Sequence, residues 1–299
     1  MEKLKSFILD RTKEAFTDFK RIGGGYYADV YKVDYRNKDS LIVKVYKSEG
    51  IVDKEIAQIK LLSDYAMFPM PEVLWTHCAD ENFQKDILVM NCLKGENAGN
   101  VFYLSSSKRT KLAEQVVDNL LAFHNTCNPD GFGEINSERY YSTFNEYYKE
   151  KAACISVLAL KLNKKGELSD YVMDVVNQAV KEFDKIFYLP ITQSSLIHGD
   201  YNMWNILVDR KNCKVTAVID PCGCKWADSE YDLYQLNNAN GKHFKLFETY
   251  SKKKKLSENY REKMAFYELF TEIEHYYNSG YPVQKKLIKK QADNLKAYL

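Results

Sequence analysis

Three side chains in the second half of the sequence have the types and the spacing needed to act on a hydroxyl group. Asp200 and Asn205 lie five residues apart, and Asp220 follows Asn205 by fifteen residues. Two strands are predicted between Asn205 and Asp220, at 206–209 and 214–219, and their pairing as a hairpin would bring these side chains together. An amide oxygen and a carboxylate are oxygen ligands suited to Mg²⁺. Asp200 would then stand beside the metal ion as the acceptor of a hydroxyl proton.

The loop that carries Asp200 begins at His198, in the segment HGDYNMWN. We predict that His198 braces this loop. Asp and Asn are also frequent turn residues, and a histidine is often a buried structural side chain, so the segment alone leaves a purely structural role open. Motifs in the N-terminal third of the chain favour the chemical role.

A glycine-rich segment, IGGGYYADV, lies between two predicted strands near the N-terminus. The backbone N–H groups of such a turn can approach phosphate oxygens without an intervening side chain. A Gly-Gly-Gly turn by itself usually marks only a hairpin. The positions predicted to contact phosphate are Gly23, Gly24, Gly25, Ala28 and Val30.

A lysine within an apolar run supplies the next motif. Lys44 lies fourteen residues after Val30 in the run LIVKVY, and Glu55 follows it by eleven residues on a predicted helix. A buried lysine is costly unless it is paired. We therefore predict a Lys44–Glu55 ion pair that holds the ammonium over the α- and β-phosphates of a nucleotide. An edge-strand lysine and a surface glutamate are the alternative.

In this order along the chain, these motifs resemble the protein-kinase-like fold. Gly199 stands where protein kinases carry arginine, and the eleven residues between Asp220 and Asp232 leave no room for the activation segment of those kinases. The segment PCGCKWADSEYDL after Asp220 is similar to aminoglycoside phosphotransferases. The resemblance is therefore to the small-molecule branch of this fold.

Two further segments resemble fructosamine kinases, which belong to the same branch. These segments are LLAFH at 120–124 with GFG at 131–133, and the C-terminal stretch 267–281. An amphipathic helix followed by a turn would produce much of the same pattern. The choice between the two kinase families therefore stays open.

The resemblance implies two cofactors, ATP and Mg²⁺. ATP would bind between two lobes, with Mg²⁺ held by Asn205 and Asp220 and with Asp200 as the catalytic base. Backbone groups of the connection between the lobes would bind adenine, at Met90, Asn91 and Leu93.

The acceptor implied by the resemblance is a hydroxyl of a small molecule, namely an amino sugar, an aminoglycoside or a fructosamine-type compound. A cationic acceptor would favour an acidic pocket. The candidates for its lining are Asp228, Glu230, Asp232 and Glu272, with Glu268 and Glu274 on the same C-terminal segment. Asp232 is also placed to brace the catalytic loop, and most glutamates on helices are solvated.

Hydrophobic periodicity predicts an α+β chain of two lobes, in keeping with a bilobal protein-kinase-like fold. The small β-rich N-lobe is predicted to span 1–92, and the larger, mainly helical C-lobe 93–299. Apolar positions between Leu4 and Phe19 predict an N-terminal helix, and residues 51–62 predict a second one. Five strands are predicted in the N-lobe, at 19–22, 30–33, 41–46, 73–77 and 86–90. Long helices are predicted in the C-lobe at 108–124, 144–162 and 168–187.

Charge and cysteine usage narrow the classes of partner and compartment. The 299 residues include 43 Lys and Arg against 41 Asp and Glu, a net charge of +2 that disfavours nucleic acid and anionic membrane as partners. No apolar run approaches the roughly 18–20 residues of a membrane helix. The seven cysteines are scattered and odd in number, and the N-terminus lacks an apolar signal region. We expect a cytoplasmic protein, monomeric, with a small-molecule substrate.

Four alternatives follow from the same residues. The acceptor could be another metabolite such as choline, a macrolide or a simple sugar. A non-catalytic nucleotide-binding pseudokinase would be expected to lack a key residue, and none is missing. A kinase that acts on proteins is disfavoured by the absent activation segment. A Cys/His metal site at Cys222, Cys224 and His198 lacks a second cysteine pair.

Overall fold

The computed structural model describes residues 1–299, in which an N-terminal antiparallel sheet precedes a mainly helical part. The strands are β1 (Asp18–Gly24), β2 (Ala28–Asp34), β3 (Leu41–Tyr46), β4 (Val73–His77), β5 (Ile87–Asn91), β6 (Glu96–Asn97), β7 (Gly133–Glu134), β8 (Ser195–Ile197), β9 (Ile206–Asp209), β10 (Lys214–Val218) and β11 (Lys225–Ala227). The α-helices are α1 (Glu2–Thr12), α2 (Val52–Ser63), α3 (Ser106–His124), α4 (Phe144–Lys164), α5 (Asp170–Lys181), α6 (Phe183–Ile186), α7 (Gly241–Phe244), α8 (Leu246–Lys253), α9 (Tyr260–Ser279) and α10 (Lys285–Lys296). Short 3₁₀ segments lie at Ala98–Asn100, Met203–Asn205 and Ser229–Asn237.

The N-terminal sheet positions the lysine. Its strand order is β1-β2-β3-β5-β4, and all neighbouring strands are antiparallel. Lys44 lies on the central strand β3, opposite Val30 of β2 and Leu88 of β5. Because side chains alternate along a strand, Lys44 shares a face with Tyr46, and that face packs against α2. A partner on α2 is therefore within reach of the lysine.

The N-terminal helix is shorter than the apolar pattern predicts. Helix α1 ends at Thr12, because Lys13 adopts a left-handed conformation with φ 54°. Phe16 and Phe19 then lie outside the helix, with their ring centroids 5.3 Å apart. Both rings pack against the apolar cluster formed by α1 and the sheet. Their packing against this cluster, and not a helical repeat, accounts for the apolar residues after position 13.

Two small sheets in the second half position the catalytic segment. The predicted hairpin is present: β9 pairs with β10, and β6 pairs with the other edge of β9. Strand β11 lies between β7 and β8 in the second sheet. The segment after β8 therefore meets the segment between β10 and β11. The sequence did not predict β6, β7 or β11, which contain only two or three residues each.

The helical part is built around two large apolar clusters, one of which joins α4, α5, α9 and α10. The single helix predicted at 168–187 is divided into α5 and α6, because Glu182 departs from helical geometry with φ −99° and ψ 20°. The α+β class and the division into a small β-rich lobe and a larger helical lobe are confirmed. None of the helices combines the length and the apolar character required to cross a membrane.

Candidate active site

Asp200 lies in the loop that follows β8, and two asparagines hold its carboxylate. Asn202 donates to one oxygen at 2.6 Å, and Asn205 donates to the other at 2.8 Å. Burial, together with the negative charge of Asp220, raises the pKa of Asp200 to about 7. A carboxyl group with this pKa can accept a proton from a hydroxyl near neutral pH. Sequence reasoning missed Asn202, although it lies only two residues after Asp200.

Gly199, the residue that replaces the arginine of protein kinases, is required by the packing of this loop. Its φ is +84°, a left-handed conformation that favours glycine. A Cβ atom here would lie 2.0 Å from the carbonyl oxygen of Cys222. The loop that carries Asp200 therefore packs backbone to backbone against the segment after Asp220.

Asp232 holds the same loop from beneath and is completely buried. Its carboxylate accepts the backbone N–H groups of His198 and Gly199, each at 2.8 Å. His124 Nε2 lies 3.2 Å from the same carboxylate, and His124 Nδ1 lies 2.8 Å from the hydroxyl of Tyr250. Asp232 therefore braces the catalytic loop, and the prediction that it lines an acceptor pocket is wrong. The segment LLAFH contained the missed partner, His124.

His198 is buried beneath the loop and is not placed to touch a substrate. Its Nδ1 accepts the backbone N–H of Asp200 at 3.4 Å. Burial lowers the pKa of His198 to about 4, so the imidazole is neutral near pH 7. These contacts give His198 a positioning role toward Asp200.

Lys44 is placed between two carboxylates at the opposite side of the cleft. Its Nζ lies 2.5 Å from Glu55 of α2 and forms a second ion pair with Asp220. The hydroxyl of Tyr46 donates to the other oxygen of Glu55 at 2.5 Å. Burial alone would lower the pKa of Lys44, but the charges of Asp220 and Glu55 raise it above the usual value. Tyr46 is a further missed residue, and its signal is its position two residues after Lys44 on the same strand face.

Asn205 and Asp220 present oxygen atoms suited to Mg²⁺. The amide nitrogen of Asn205 is committed to Asp200, which leaves its amide oxygen without a hydrogen-bond donor. The side chain of Asp220 is 48% exposed, and its backbone is left-handed with φ 59°. An amide oxygen, a carboxylate and phosphate oxygens form the kind of ligand set that Mg²⁺ takes. No group of three or more His, Cys, Asp and Glu side chains is arranged to hold a metal ion, Cys222 and Cys224 included.

The glycine-rich turn is tighter than the sequence indicates. Strand β1 continues through Gly23 and Gly24, which pair with Val30 and Asp29 of β2, so only residues 25–27 form the turn. The N–H of Gly25 donates to the carbonyl of Ala28 at 3.0 Å. Ala28 and Val30 consequently belong to β2, and Val30 lies opposite Lys44.

The segment at the end of β5 leads from the sheet to the helical part. Met90 is buried in the apolar cluster beneath the sheet. Asn91 exchanges hydrogen bonds with Glu72, both through its backbone N–H and through its side-chain oxygen. The backbone groups of Leu93 lie beyond the last residue of β5 and outside the sheet pairing.

Two of the predicted acceptor residues are committed to a buried lysine. Lys263 of α9 lies 2.6 Å from Asp228 and 2.8 Å from Glu230. Tyr267 also donates to Asp228 at 2.8 Å. The side chains of Asp228 and Glu230 are only 6% and 7% exposed. The prediction that Asp228 and Glu230 face an acceptor is therefore wrong, because both pair with the same buried cation, Lys263.

Glu272 of α9 is placed differently, since it faces the glycine-rich turn. The hydroxyl of Tyr26 donates to Glu272 at 3.1 Å. The Tyr26 ring also packs against three aromatic rings, with centroids 5.4 Å from His275, 6.0 Å from Tyr276 and 5.2 Å from Tyr281. The glycine-rich turn and α9 thus close one side of the cleft. The other glutamates of this helix have partners elsewhere: Glu274 pairs with Lys151 at 2.5 Å, and Glu268 lies 3.5 Å from Gln291.

Comparison with curated proteins finds a relative without an assigned function. The uncharacterized protein YcbJ of Escherichia coli (strain K12) is 20% identical over 246 residues, which are 82% of this chain and 81% of YcbJ.

Solved structures share the fold over nearly the whole chain. A putative fructosamine-3-kinase from Haemophilus somnus 129PT aligns with a TM-score of 0.71 and 16% identity, covering 99% of this chain and 96% of that one. Aminoglycoside phosphotransferase APH(4)-Ia aligns with a TM-score of 0.69 and 16% identity, covering 99% and 97%. The ADP-bound aminoglycoside phosphotransferase APH(2'')-Ib aligns with a TM-score of 0.68 and 17% identity, also covering 99% and 97%.

The family assignment rests on a sequence match that spans both parts of the fold. The model of the phosphotransferase enzyme family matches residues 18–250, a range that contains Lys44, Glu55, Asp200, Asn205 and Asp220. The resemblance to small-molecule kinases is therefore confirmed. The chain belongs to the phosphotransferase enzyme family and is a kinase-like enzyme that transfers a phosphoryl group to a hydroxyl group.

Proposed function

We propose that this protein uses ATP and Mg²⁺ to phosphorylate a hydroxyl group of a small amino sugar, aminoglycoside or fructosamine-type compound. One observation carries the proposal. Lys44, paired with Glu55 and Asp220, faces the loop on which Asp200 is held by two asparagines. A phosphate-binding cation and a proton acceptor of suitable pKa thus border one cleft.

The nucleotide side of the cleft is formed by the sheet. The turn at residues 25–27 offers backbone groups to phosphates, and Lys44 offers a positive charge that Glu55 and Tyr46 hold in place. We assign the adenine to the segment Met90–Leu93 at the end of β5. Asn205 and Asp220 would hold Mg²⁺, which neutralises charge on the phosphate oxygens when it is bound.

The acceptor side is formed by the catalytic loop and α9. The acceptor oxygen attacks the terminal phosphorus of the nucleotide, the bond from that phosphorus to the bridging oxygen breaks, and the hydroxyl proton passes to the carboxylate of Asp200. His198, Gly199 and Asp232 fix the position of this carboxylate. Such positioning is the main contribution that a protein makes to phosphoryl transfer.

The acceptor class is drawn from fold relatives that are named as fructosamine and aminoglycoside kinases. On this chain, Glu272 and the aromatic rings around Tyr26 border the acceptor side. Aromatic rings stack on the apolar faces of sugars, and a carboxylate can bind an amino group. An amino sugar therefore fits these residues.

The substitution Asp200→Ala tests the proposed function. We expect turnover to fall at least a hundredfold, because the proton acceptor is lost, while ADP still binds. The measurement is consumption of ATP and of GTP with fructosamines, aminoglycosides, macrolides, choline and simple sugars, beside calorimetric titration with ADP.

Asp184→Ala serves as the control, since Asp184 is an exposed surface residue whose ion pair with Lys149 lies outside the cleft. Retention of more than about a tenth of kcat in Asp200→Ala would contradict the role of Asp200. Failure of every acceptor in the wild type would contradict the proposed function.

A further inference from the structure

Three lysine side chains are buried in this protein, and one of them forms no ion pair or hydrogen bond within the chain. Lys44 and Lys263 each form ion pairs with two carboxylates. Lys225 is only 5% exposed, yet it makes no ion pair and donates no hydrogen bond within the chain. Its Nζ lies over the ring of Tyr231, 4.7 Å from the centroid. Its Nζ is not completely enclosed, since every fully enclosed polar side-chain atom without a partner belongs to another residue. The N–H groups of Lys225 are therefore open to an acceptor from outside the chain.

The carboxylates closest to Lys225 are occupied by other groups. Glu134 lies opposite Lys225 across the β7–β11 pair, and it accepts the hydroxyl of Tyr147 at 2.7 Å. Glu274 is paired with Lys151 at 2.5 Å. The negative charges of Glu134 and Glu274 stabilise the ammonium of Lys225. Neither carboxylate accepts a hydrogen bond from it, so its N–H groups are free for another acceptor.

Lys225 is charged near neutral pH in spite of its burial. Burial alone would lower the pKa of Lys225, but the neighbouring tyrosine hydroxyls and the carboxylates of Glu134 and Glu274 raise it well above the usual value. The side chain therefore presents a permanent positive charge at this position.

Lys225 lies on the strand next to the one that leads into the catalytic loop. It lies on β11 opposite Ile197, three residues before Asp200. Its charge also contributes to lowering the pKa of His275 on α9, which burial chiefly brings to about 4. The ring of His275 packs against Tyr27 of the glycine-rich turn, with centroids 6.0 Å apart. Lys225 thus lies beside the start of the catalytic loop and close enough to α9 for its charge to act on His275.

We propose that Lys225 binds an anionic group of the acceptor, either a carboxylate or a phosphate ester. The inference rests on the proposed function and narrows its acceptor class. A fructosamine formed from an amino acid carries a hydroxyl, an amino group and a carboxylate, and it meets this requirement. A polycationic aminoglycoside does not, because Lys225 would repel it.

The test compares sugar alcohols and acids that differ in one group. D-Gluconate carries a carboxylate, D-sorbitol 6-phosphate carries a phosphate ester, and D-sorbitol is uncharged. Each is titrated calorimetrically into the full-length protein, with and without saturating ADP and Mg²⁺. We expect at least one of the two anions to bind at least tenfold more tightly than sorbitol. The tighter of the two anions identifies the kind of group that Lys225 binds.

Lys225→Met keeps the length of the side chain and removes its charge, and Lys225→Gln serves as a second variant. We expect the preference for the anion to disappear in both, with ADP affinity and the affinity for sorbitol unchanged. Lys149→Met is the control, since Lys149 lies on the surface and pairs with Asp184 outside the cleft. It is expected to keep most of the preference. Thermal unfolding establishes that each variant is folded.

Three results would overturn the proposal: neither anion binds more tightly than sorbitol, the preference persists without Lys225, or Lys149→Met abolishes it equally. These outcomes are separate from failure of the proposed function. That failure would appear as absent ADP binding or absent phosphoryl transfer in the wild type, whereas the titrations without ADP measure anion binding directly.

Discussion

Asp200 is the residue at which catalysis and stability conflict. Burial and the neighbouring Asp220 raise the pKa of Asp200 to about 7, whereas the carboxyl of an unfolded chain titrates near its ordinary value of about 4. As pH rises from about 4 to about 7, the unfolded state loses this proton and the folded state keeps it. Ionisation of Asp200 therefore lowers the free energy of unfolding. This reduction is complete above pH 7.

Asp200→Asn should consequently stabilise the fold at alkaline pH. We expect a Tm higher than that of the wild type at pH 8, by the equivalent of up to about 4 kcal/mol, and a smaller gain at pH 5. Calorimetric unfolding of both proteins at the two pH values provides the measurement. An equal Tm difference at both pH values would show that the pKa of Asp200 is not raised in the fold.

Tyr46 offers a test of how Lys44 is held. Tyr46→Phe removes the hydroxyl that donates to Glu55 at 2.5 Å, a charge-assisted hydrogen bond, and keeps the buried ring. We expect the KM for ATP to rise about three- to tenfold, which corresponds to a loss of roughly 1 kcal/mol. Steady-state kinetics with varied ATP measures this change.

Tyr35→Phe is the matched control for Tyr46→Phe. The hydroxyl of Tyr35 is also buried in the N-terminal lobe, but it has no hydrogen-bond partner. Its removal should leave the KM for ATP unchanged and the Tm equal or slightly higher. An equal increase of KM in both variants would mean that the Tyr46 hydroxyl has no specific role.

At the residue scale, the sequence was sufficient to predict a site residue when its partner belongs to a neighbouring motif at a characteristic spacing. Lys44, Glu55, Asp200, Asn205 and Asp220 were all predicted from spacing, and the structure brings them to one cleft. The role of Asp228 and Glu230 was predicted wrongly, because the charge of a residue does not reveal a partner that is distant in sequence. Lys263, which neutralises Asp228 and Glu230, follows them by more than thirty residues.

At the scale of elements, the catalytic loop depends on close backbone packing. Gly199→Ala would place a Cβ 2.0 Å from the carbonyl oxygen of Cys222, at a φ of +84° that also disfavours alanine. The backbone of the loop would have to move, and with it the carboxylate of Asp200. We expect kcat to fall at least a hundredfold and Tm to fall by several degrees, as measured by kinetics and thermal unfolding.

Gly223→Ala separates the steric clash from backbone strain. Gly223 has a similar φ of +75°, but a Cβ atom there would have no atom within 4 Å. We expect this variant to lose about 1 kcal/mol of stability and to keep most of its activity. Comparable activity in the two variants would argue against tight packing at Gly199.

The elements show where periodicity is informative and where it fails. The five strands of the N-terminal sheet were predicted within a few residues, because each has a run of β-branched or aromatic residues. Strands β7 and β11 were not predicted, since segments of two or three residues have no periodicity to detect. Their pairing places Lys225, so the sequence alone could not single out this residue.

At the scale of the whole molecule, the structure explains some of the many tyrosines. The sequence contains 23 tyrosines, and six of them are among the twelve largest fully buried side chains. Two of these phenols donate to buried carboxylates, Tyr46 to Glu55 and Tyr267 to Asp228. The hydroxyls of Tyr148 and Tyr276 have no hydrogen-bond partner. Tyrosine fills the core as phenylalanine would, and its hydroxyl also satisfies buried carboxylates.

The C-terminal helices complete the core, although they lie beyond the end of the family match at residue 250. Helix α10 buries Ile288 and Leu295, which pack with α5 and α9 in the largest apolar cluster.

Leu295→Ala should lower the free energy of unfolding by about 2–4 kcal/mol, because it leaves a cavity in this cluster. Leu287→Ala on the exposed face of the same helix should change it by less than about 0.5 kcal/mol. Urea unfolding of the two variants measures both changes, and an equal, small effect would mean that α10 does not contribute to the core of this lobe. Loss of the core beneath α9 would also displace Glu272 and Lys263, so we expect activity to fall with stability in Leu295→Ala alone.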